Sequence, residues 1–310
     1  MYSRIPHAQL VGVFDTDTKR TDENAALYQC KKFISLKEAF ESVKAISIAT
    51  PTTMHYEIAR EAITRGLHVF IEKPITTTTE QARELIGLAA KHHVNIQVGH
   101  IERFNPALLA LERFNISPMF VESHRLAQFN PRGTDVAVVL DLMIHDIDII
   151  LSFVKSPVKS IHANGVAVVS DTIDIANARI QFENGCVANV TASRISQKKM
   201  RKMRMFQRDA YISVDFSDGV AEVFRLVDED DKSAAHTMLL GAITQGTIQR
   251  KITYEQPEIK EVNALQYELE LFIESVQGNK QPMVTGEDGL RALEVAQQII
   301  ESINQNKVVL

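Results

Sequence analysis

Cysteine is nearly absent: Cys30 and Cys186 stand far apart in 310 residues, with no Cys-x-x-Cys or Cys-His spacing. That argues against a zinc site or a disulfide framework, so no metal is expected and both cysteines read as reduced, buried thiols. Long apolar runs are missing too. No stretch approaches the ~18 uncharged residues of a membrane span, and the opening residues lack the charged, apolar and small-residue succession of a signal peptide. A cytoplasmic protein is expected. Positive charge is in short supply, 34 Lys and Arg against 39 Asp and Glu, for a formal net charge of -5. Nucleic acid and anionic membranes reward a basic surface, so the expected partners are small molecules or protein. No internal repeat or low-complexity tract is visible.

A further absence lies at the front. Leu10-Val-Gly-Val-Phe-Asp15 is an apolar strand ending in an acid, the usual second strand of a dinucleotide-binding unit. The first strand and its phosphate-cradling glycine loop precede such a strand by about 20 residues. Only nine residues stand before Leu10. Residues 2–15 read as the end of a first helix running into the second strand, so the expectation is a familiar unit entered part-way, with a cofactor-free design as the alternative. A strand lost from the centre of a parallel sheet exposes edges on both sides and removes the helix start that holds pyrophosphate.

What is present is a two-domain pattern. At 45% hydrophobic composition the chain is long enough for two cores. Residues 1–115 alternate short apolar runs (Leu10-Phe14, Ala45-Ile48, His68-Ile71, Asn95-Val98) with helical patterns, as a parallel α/β sheet does. Ser35-Leu-Lys-Glu38 and Thr77-Thr-Thr-Glu80 read as capping boxes, and Gly66 as a helix stop. Residues 116–310 change texture: a helical stretch from about Val136 to Val154, then strand-length runs. Asn184-Gly185 supplies the positive φ values of a tight hairpin, which predicts an antiparallel sheet. Residues 228–236 read as a solvated loop, and two amphipathic helices close the chain.

Three stretches can carry chemistry. Glu72-Lys73-Pro74 follows an apolar strand, and open parallel sheets bind ligands off their strands' carboxyl ends. Lys73 can stabilise a developing alkoxide there, or be an ordinary turn lysine. In "LDLMIHDIDII", Asp141 and His145 are four apart on one helix face, so that His145 can take and return a hydroxyl proton while Asp141 orients the ring or holds a second hydroxyl. The alternatives are a satisfied core histidine, or a metal pair with Asp146 or Asp148. In "SIATPTTMHYEIA", Thr50, Pro51, Thr52 and His55 form a loop opening a helix, which suits a ribose or phosphate. A basic run, Arg194, Lys198, Lys199, Arg201, Lys202, Arg204 and Arg208, suits a nucleotide-sugar diphosphate, or else a charged strand face or subunit contact. Alternate strand residues point to opposite faces, so these cannot all meet one ligand.

Strand-acid, "ATPTTMH", "EKP", "VGHIERFNP" and the Asp-x-x-x-His pair, in this order, resemble the glucose-fructose oxidoreductase and inositol dehydrogenase (Gfo/Idh/MocA) family over essentially the whole chain. The resemblance implies a Rossmann-like parallel sheet, here without its first strand, in residues 1–115. It implies a substrate-binding and oligomerisation α+β domain with an open, mainly antiparallel sheet in residues 116–310. The implied activity is NAD(P)-dependent oxidation of a sugar or cyclitol hydroxyl. Lys73 matches the lysine contacting nicotinamide and substrate, His145 the general acid/base, Asp141 the substrate-orienting acid, and Asp15 the acid on the adenosine ribose. Thr50, Pro51, Thr52, His55 and Glu72 match positions beside the dinucleotide, and His100 and Arg103, at the domain junction, are expected cofactor contacts as well. Asn105, Arg194 and Arg201 are the expected substrate contacts. An acid at position 15 favours NAD over NADP, although Lys19 and Arg20 follow closely. Together with "HRLAQFNPRGTDV" and "TASRIS", these stretches are most similar to members that oxidise the 3-hydroxyl of UDP-N-acetylglucosamine. A sensor on the same fold and a free-sugar or cyclitol dehydrogenase are the competing readings. An open sheet face predicts a homodimer or homotetramer.

Overall fold

The computed structural model describes residues 1–130, 136–228, 237–245 and 248–306. A 3-10 turn at Tyr2–Arg4 leads into β1 (Gly12–Val13), α1 (Thr18–Tyr28), β2 (Lys31–Lys32), α2 (Leu36–Ser42) and β3 (Ala45–Ile48). Then come α3 (Thr52–Thr64), β4 (His68–Glu72), α4 (Thr79–His92) and β5 (Ile96–Gly99). β4 buries Val69, Phe70 and Ile71 in succession, as a parallel strand covered on both faces must. α3 buries Ile58, Ala59, Ala62 and Ile63, at helical spacing, and Gly66 at φ 80° follows its end.

The five parallel strands form two sheets, β1-β2 and β3-β4-β5, and no ladder joins β1 to β3 among the described residues. In the dinucleotide-binding strand order 3-2-1-4-5-6 these correspond to 3-2 and 4-5-6, with position 1 not represented. The caps differ in detail from expectation. Thr78, not Thr77, caps α4, and Gln81, not Glu80, returns the bond. At α2, Ser35 accepts from the Glu38 N-H, but the Glu38 carboxylate accepts from Ile34 instead of Ser35.

A 3-10 turn at Ile101–Phe104 precedes α5 (Pro106–Leu109) and β6 (Phe120–Leu126). The helix expected from Val136 is divided: a π-helical turn, Val139–Met143, precedes α6 (Ile144–Phe153). The strands that follow are β7 (Val158–Val166), β8 (Ile175–Phe182), β9 (Val187–Ser193), β10 (Met200–Phe206), β11 (Ala210–Asp215) and β12 (Val220–Asp228). They end with β13 (Met238–Gln245) and β14 (Ile248–Glu255). The nine strands β6 to β14 make one sheet, ordered β13-β14-β12-β11-β10-β6-β9-β8-β7, antiparallel throughout except for β6 beside β9. Alternation decides its faces. Val121, Ala178, Val190, Met203, Ile212 and Val223 are buried, whereas the other face carries an aromatic row, Phe120, Phe206, Tyr211, Phe224 and Tyr254, with neighbouring ring centroids 4.9–5.9 Å apart.

At the β8-β9 hairpin only Gly185 takes positive φ, 88°. Asn184 instead uses its side-chain oxygen to accept from the Cys186 N-H at 3.0 Å. Cys186 is buried, which pushes its thiol up to about 11; Cys30 is only partly buried, against expectation. Of the polar stretch 228–236, all but Asp228 lies outside the described residues, as do residues 131–135 of "HRLAQFNPRGTDV".

The chain closes with α7 (Ala264–Gln277) and α8 (Gly286–Gln305). Two compact units result, Met1–Ile101 with Asn263–Leu293 and Glu102–Val262 with Glu294–Leu310. This differs from the expected division at 115/116. Leu269 and Phe272 of α7 form one core with Ile5 and Phe70, Phe272 meeting Phe70 edge to face at 5.8 Å, and such long-range packing leaves no local mark in the sequence. No described helix is long and apolar enough to cross a membrane.

A Cβ on Gly12 would lie 2.5 Å from both the Lys31 carbonyl oxygen and the Phe33 ring. Gly12→Ala is expected to push β1 off β2 and lower stability by about 1–3 kcal/mol, read as a lower midpoint in thermal unfolding. An unchanged midpoint would show that β2 recedes freely.

Candidate active site

In the first unit the candidate residues gather where strands end. Asp15 follows β1; its Oδ1 accepts from the Asp17 N-H at 2.8 Å, and its Oδ2 has no partner among the described residues. Lys19 and Arg20, the residues that would welcome a 2'-phosphate, lie beside acids: Lys19 is 3.9 Å from Glu23 and Arg20 is 3.4 Å from Asp17. Beyond β3, Thr50 and Pro51 lead into α3, which starts at Thr52 with no side chain capping its first N-H groups.

His55 is buried on that loop. Its Nδ1 lies 3.0 Å from the Pro74 carbonyl oxygen and its Nε2 2.9 Å from that of Thr50. Carbonyls only accept, so each ring nitrogen is satisfied there only by donating. His55, buried, therefore ties the β3 loop to the β4 loop. Glu72 ends β4; burial raises its carboxyl, opposed by the Lys73 N-H, the Lys73 ammonium and His55. Gly99 makes room for it, since a Cβ there would stand 2.9 Å from Glu72 Oε2. Lys73 precedes Pro74 through a cis peptide. His100 is buried immediately after β5.

Together these groups fit a dinucleotide at two places. An acid with an open oxygen suits a ribose hydroxyl, and uncapped N-H groups at a helix start suit an acceptor-rich ligand. No glycine-rich loop for the pyrophosphate occurs among residues 1–9.

In the second unit Asp141 sits within the π-helical turn and His145 in the first turn of α6. The Ile144 N-H reaches back to the Val139 carbonyl, a five-residue step. Single π turns inside helices recur at functional sites. Asp146 and Asp148 are both buried and both held by arginine. Asp146 accepts from Arg125 Nε at 2.6 Å and from Ser123 Oγ at 2.7 Å. Asp148 takes both arms of Arg103, at 2.7 Å each. These pairs occupy the carboxylates that the metal alternative required, and no group of three metal-ligating side chains occurs among the described residues.

Arg125 also donates to Glu102 Oε1 at 2.8 Å. Burial alone would lower the pKa of its guanidinium; Asp146 and Glu102 outweigh that and raise it, holding the charge. Arg201 reaches the same Glu102 oxygen at 3.3 Å with half its side chain exposed. The other basic strand residues are paired, Lys202 with Asp215 at 3.0 Å and Arg204 with Glu122 at 3.6 Å. Asn105 caps α5 through the Ala107 N-H at 3.1 Å and donates to the Phe216 carbonyl at 3.3 Å.

Arg194, an expected substrate contact, is instead buried. It donates to the Val136 carbonyl and lies 3.7 Å from Asp174. The structure thus brings Glu102, Asn105, Arg125, Asp146 and Arg201 into one polar cluster, pairs Arg103 with Asp148, and places Arg194 with Asp174. Sequence reasoning did not find Arg125, Glu102 or Asp174. The available signal was an arginine and a serine at alternate positions of an otherwise apolar strand face, facing a helix with acids two apart.

Burial alone would raise the Asp174 carboxyl. Ser170 Oγ at 2.7 Å and the backbone N-H groups of Val168, Val169 and Ser170 outweigh it and hold it well below the usual range. A depressed carboxyl contributes stability that is complete above its unfolded pKa, about 3.9, and is lost as pH falls toward the folded value. The urea midpoint is expected to fall below about pH 4 in the parent, and less steeply in Asp174→Asn. Parallel pH profiles would remove this group from the acid response.

Comparison with known proteins bears on both units. Residues 1–100 match a family model described as oxidoreductase family, NAD-binding Rossmann fold, and residues 119–222 match a Gfo/Idh/MocA C-terminal domain. UDP-N-acetylglucosamine 3-dehydrogenase of Acidithiobacillus ferrooxidans is 36% identical over 293 residues, 94% of this chain and 89% of that one. A solved structure of that enzyme superimposes with a TM-score of 0.86, covering 98% of this chain and 92% of the other. An NAD-dependent scyllo-inositol 2-dehydrogenase of Bacillus subtilis is 25% identical over 95% of this chain and 86% of its own.

Proposed function

Because the chain belongs to the Gfo/Idh/MocA family of NAD-binding oxidoreductases, we propose that it oxidises the 3-hydroxyl of UDP-N-acetylglucosamine to a ketone. The observation that carries this reading is the identity of 36%, spread over 94% of the chain, to a UDP-N-acetylglucosamine 3-dehydrogenase.

NAD, when bound, supplies the carbon that accepts the hydride. Asp15 binds the adenosine ribose, and the α3 start at Thr50, Pro51 and Thr52 lines the dinucleotide, with His55, Glu72 and His100 supporting it. Lys73 presents its ammonium to the substrate oxygen and stabilises negative charge as the C-H bond weakens. His145 takes the hydroxyl proton, so alcohol and NAD become ketone, NADH and a proton. Asp141 orients the substrate through a second hydroxyl. Arg201, half-exposed, supplies a cation to the diphosphate. The aromatic row on the open sheet face is only partly covered within one chain, and a second copy packed on it completes a homodimer.

The test is NADH formation from UDP-N-acetylglucosamine, with the product identified by mass spectrometry. His145→Ala is expected to lower kcat by a factor of about 100 to 10,000 at an unchanged thermal midpoint. Full activity in that variant would remove His145 from the chemistry. NAD binding without turnover of any sugar nucleotide would favour a sensor. Sedimentation is expected to give twice the chain mass; a monomer at micromolar concentration would overturn the dimer.

A further inference from the structure

We propose that the Arg103-Asp148 and Arg125-Asp146 pairs are positioning devices that fix the rotation of the first turn of α6, and with it the His145 ring. The inference rests on the acid/base role given to His145 above. Asp146 follows His145 by one residue and Asp148 by three. On a helix those offsets are about 100° to one side and about 60° to the other. The carboxylates therefore leave α6 on either side of His145, and each is gripped by a guanidinium from a different element, Arg125 from β6 and Arg103 from the 3-10 turn at Ile101–Phe104.

Stability does not require this arrangement. α6 already buries Ile144, Ile147, Ile149, Ile150 and Leu151, and apolar contact alone docks such a helix. Removing charges from water costs several kcal/mol per ion, so well-packed apolar replacements of buried ion pairs are often as stable. Ion pairs differ from apolar contacts in specifying direction. The bidentate Arg103-Asp148 pair, at 2.7 Å on both arms, fixes an angle as well as a distance. Control of angle matters here because α6 is entered through a π turn, whose hydrogen bonds do not share the helix ladder's register. Arginines on both flanks resist rotation in either sense.

The experiment uses the full chain in four variants: Arg103→Lys and Arg125→Lys, which keep charge but lose the fork, and the double variants Arg103→Met/Asp148→Leu and Arg125→Met/Asp146→Leu, which leave no orphaned charge. With UDP-N-acetylglucosamine and NAD, kcat is expected to fall about 10- to 100-fold in the apolar doubles and less in the lysine variants. KM for both should hold within about twofold and the thermal midpoint within about 4 °C. Arg65→Lys, whose partner Glu61 lies on an exposed helix face, is the control expected to change nothing.

The second measurement needs no turnover. The His145 ring signal in a 13C-histidine NMR spectrum, assigned by its loss in His145→Gln, should be single and sharp in the parent and broadened or doubled in the apolar doubles. An unchanged ring signal with unchanged kcat would overturn the proposal. So would a loss of activity that tracks a falling thermal midpoint, the mark of general destabilisation. Full activity in His145→Ala would defeat the acid/base reading alone, because the ring signal tests positioning without it.

Discussion

Arg125 lies on the inner face of β6, in a row with Val121 and Ser123, where nearly everything else is apolar. A guanidinium survives there because Asp146 and Glu102 meet it with short hydrogen bonds; leaving it unpaired at that depth would cost about 3–5 kcal/mol, a large part of a domain's margin of stability. The requirement propagates. Satisfying Arg125 brings α6 and Glu102 against β6, and the same Glu102 oxygen receives Arg201 from β10. One buried cation thereby sets the mutual placement of a helix, two strands and a turn.

A second buried anchor works at the other end of the same helical segment. Arg194 holds the Val136 carbonyl just before the π turn, while Asp174 gathers the N-H groups of Val168, Val169 and Ser170. His145, proposed for proton transfer, and Asp141, proposed to orient the substrate, thus sit on a stretch fastened by arginines before and after. The irregular backbone lies between the two fastenings, where deviation from α-helical hydrogen bonding is held in place by ionic contacts outside the helix.

Periodicity and punctuation made most of the architecture readable in the sequence. β3 coincides with the apolar run Ala45-Ile48, Gly66 stops α3, and Asn184-Gly185 marks the β8-β9 hairpin. The split of the parallel sheet was readable from the short stretch before Leu10. Charged residues were harder. Composition cannot tell an arginine that faces a ligand from one that neutralises an acid across the fold, so Arg194 read as a substrate contact and Arg125 did not stand out. On β10 strand parity separates Arg201 from Lys202 and Arg204, but only the ladder shows which acid each one meets. The π turn had no glycine or proline to announce it. The cap at Thr78 was displaced by one residue because four consecutive threonines offer equivalent hydroxyls, and Gln81 matched a box as well as Glu80 did.

Phe70 is encoded early and Phe272 near the other end of the chain, yet they share one core. Contacts of such sequence separation carry a loop-closure penalty that must be met before they stabilise anything. During synthesis the parallel strands emerge long before α7 exists, so the first unit waits incomplete while the nine-stranded sheet is made. The part of Phe70 that α7 will cover stays without that cover until then, and transiently exposed apolar surface of this kind is what makes incomplete chains prone to aggregate.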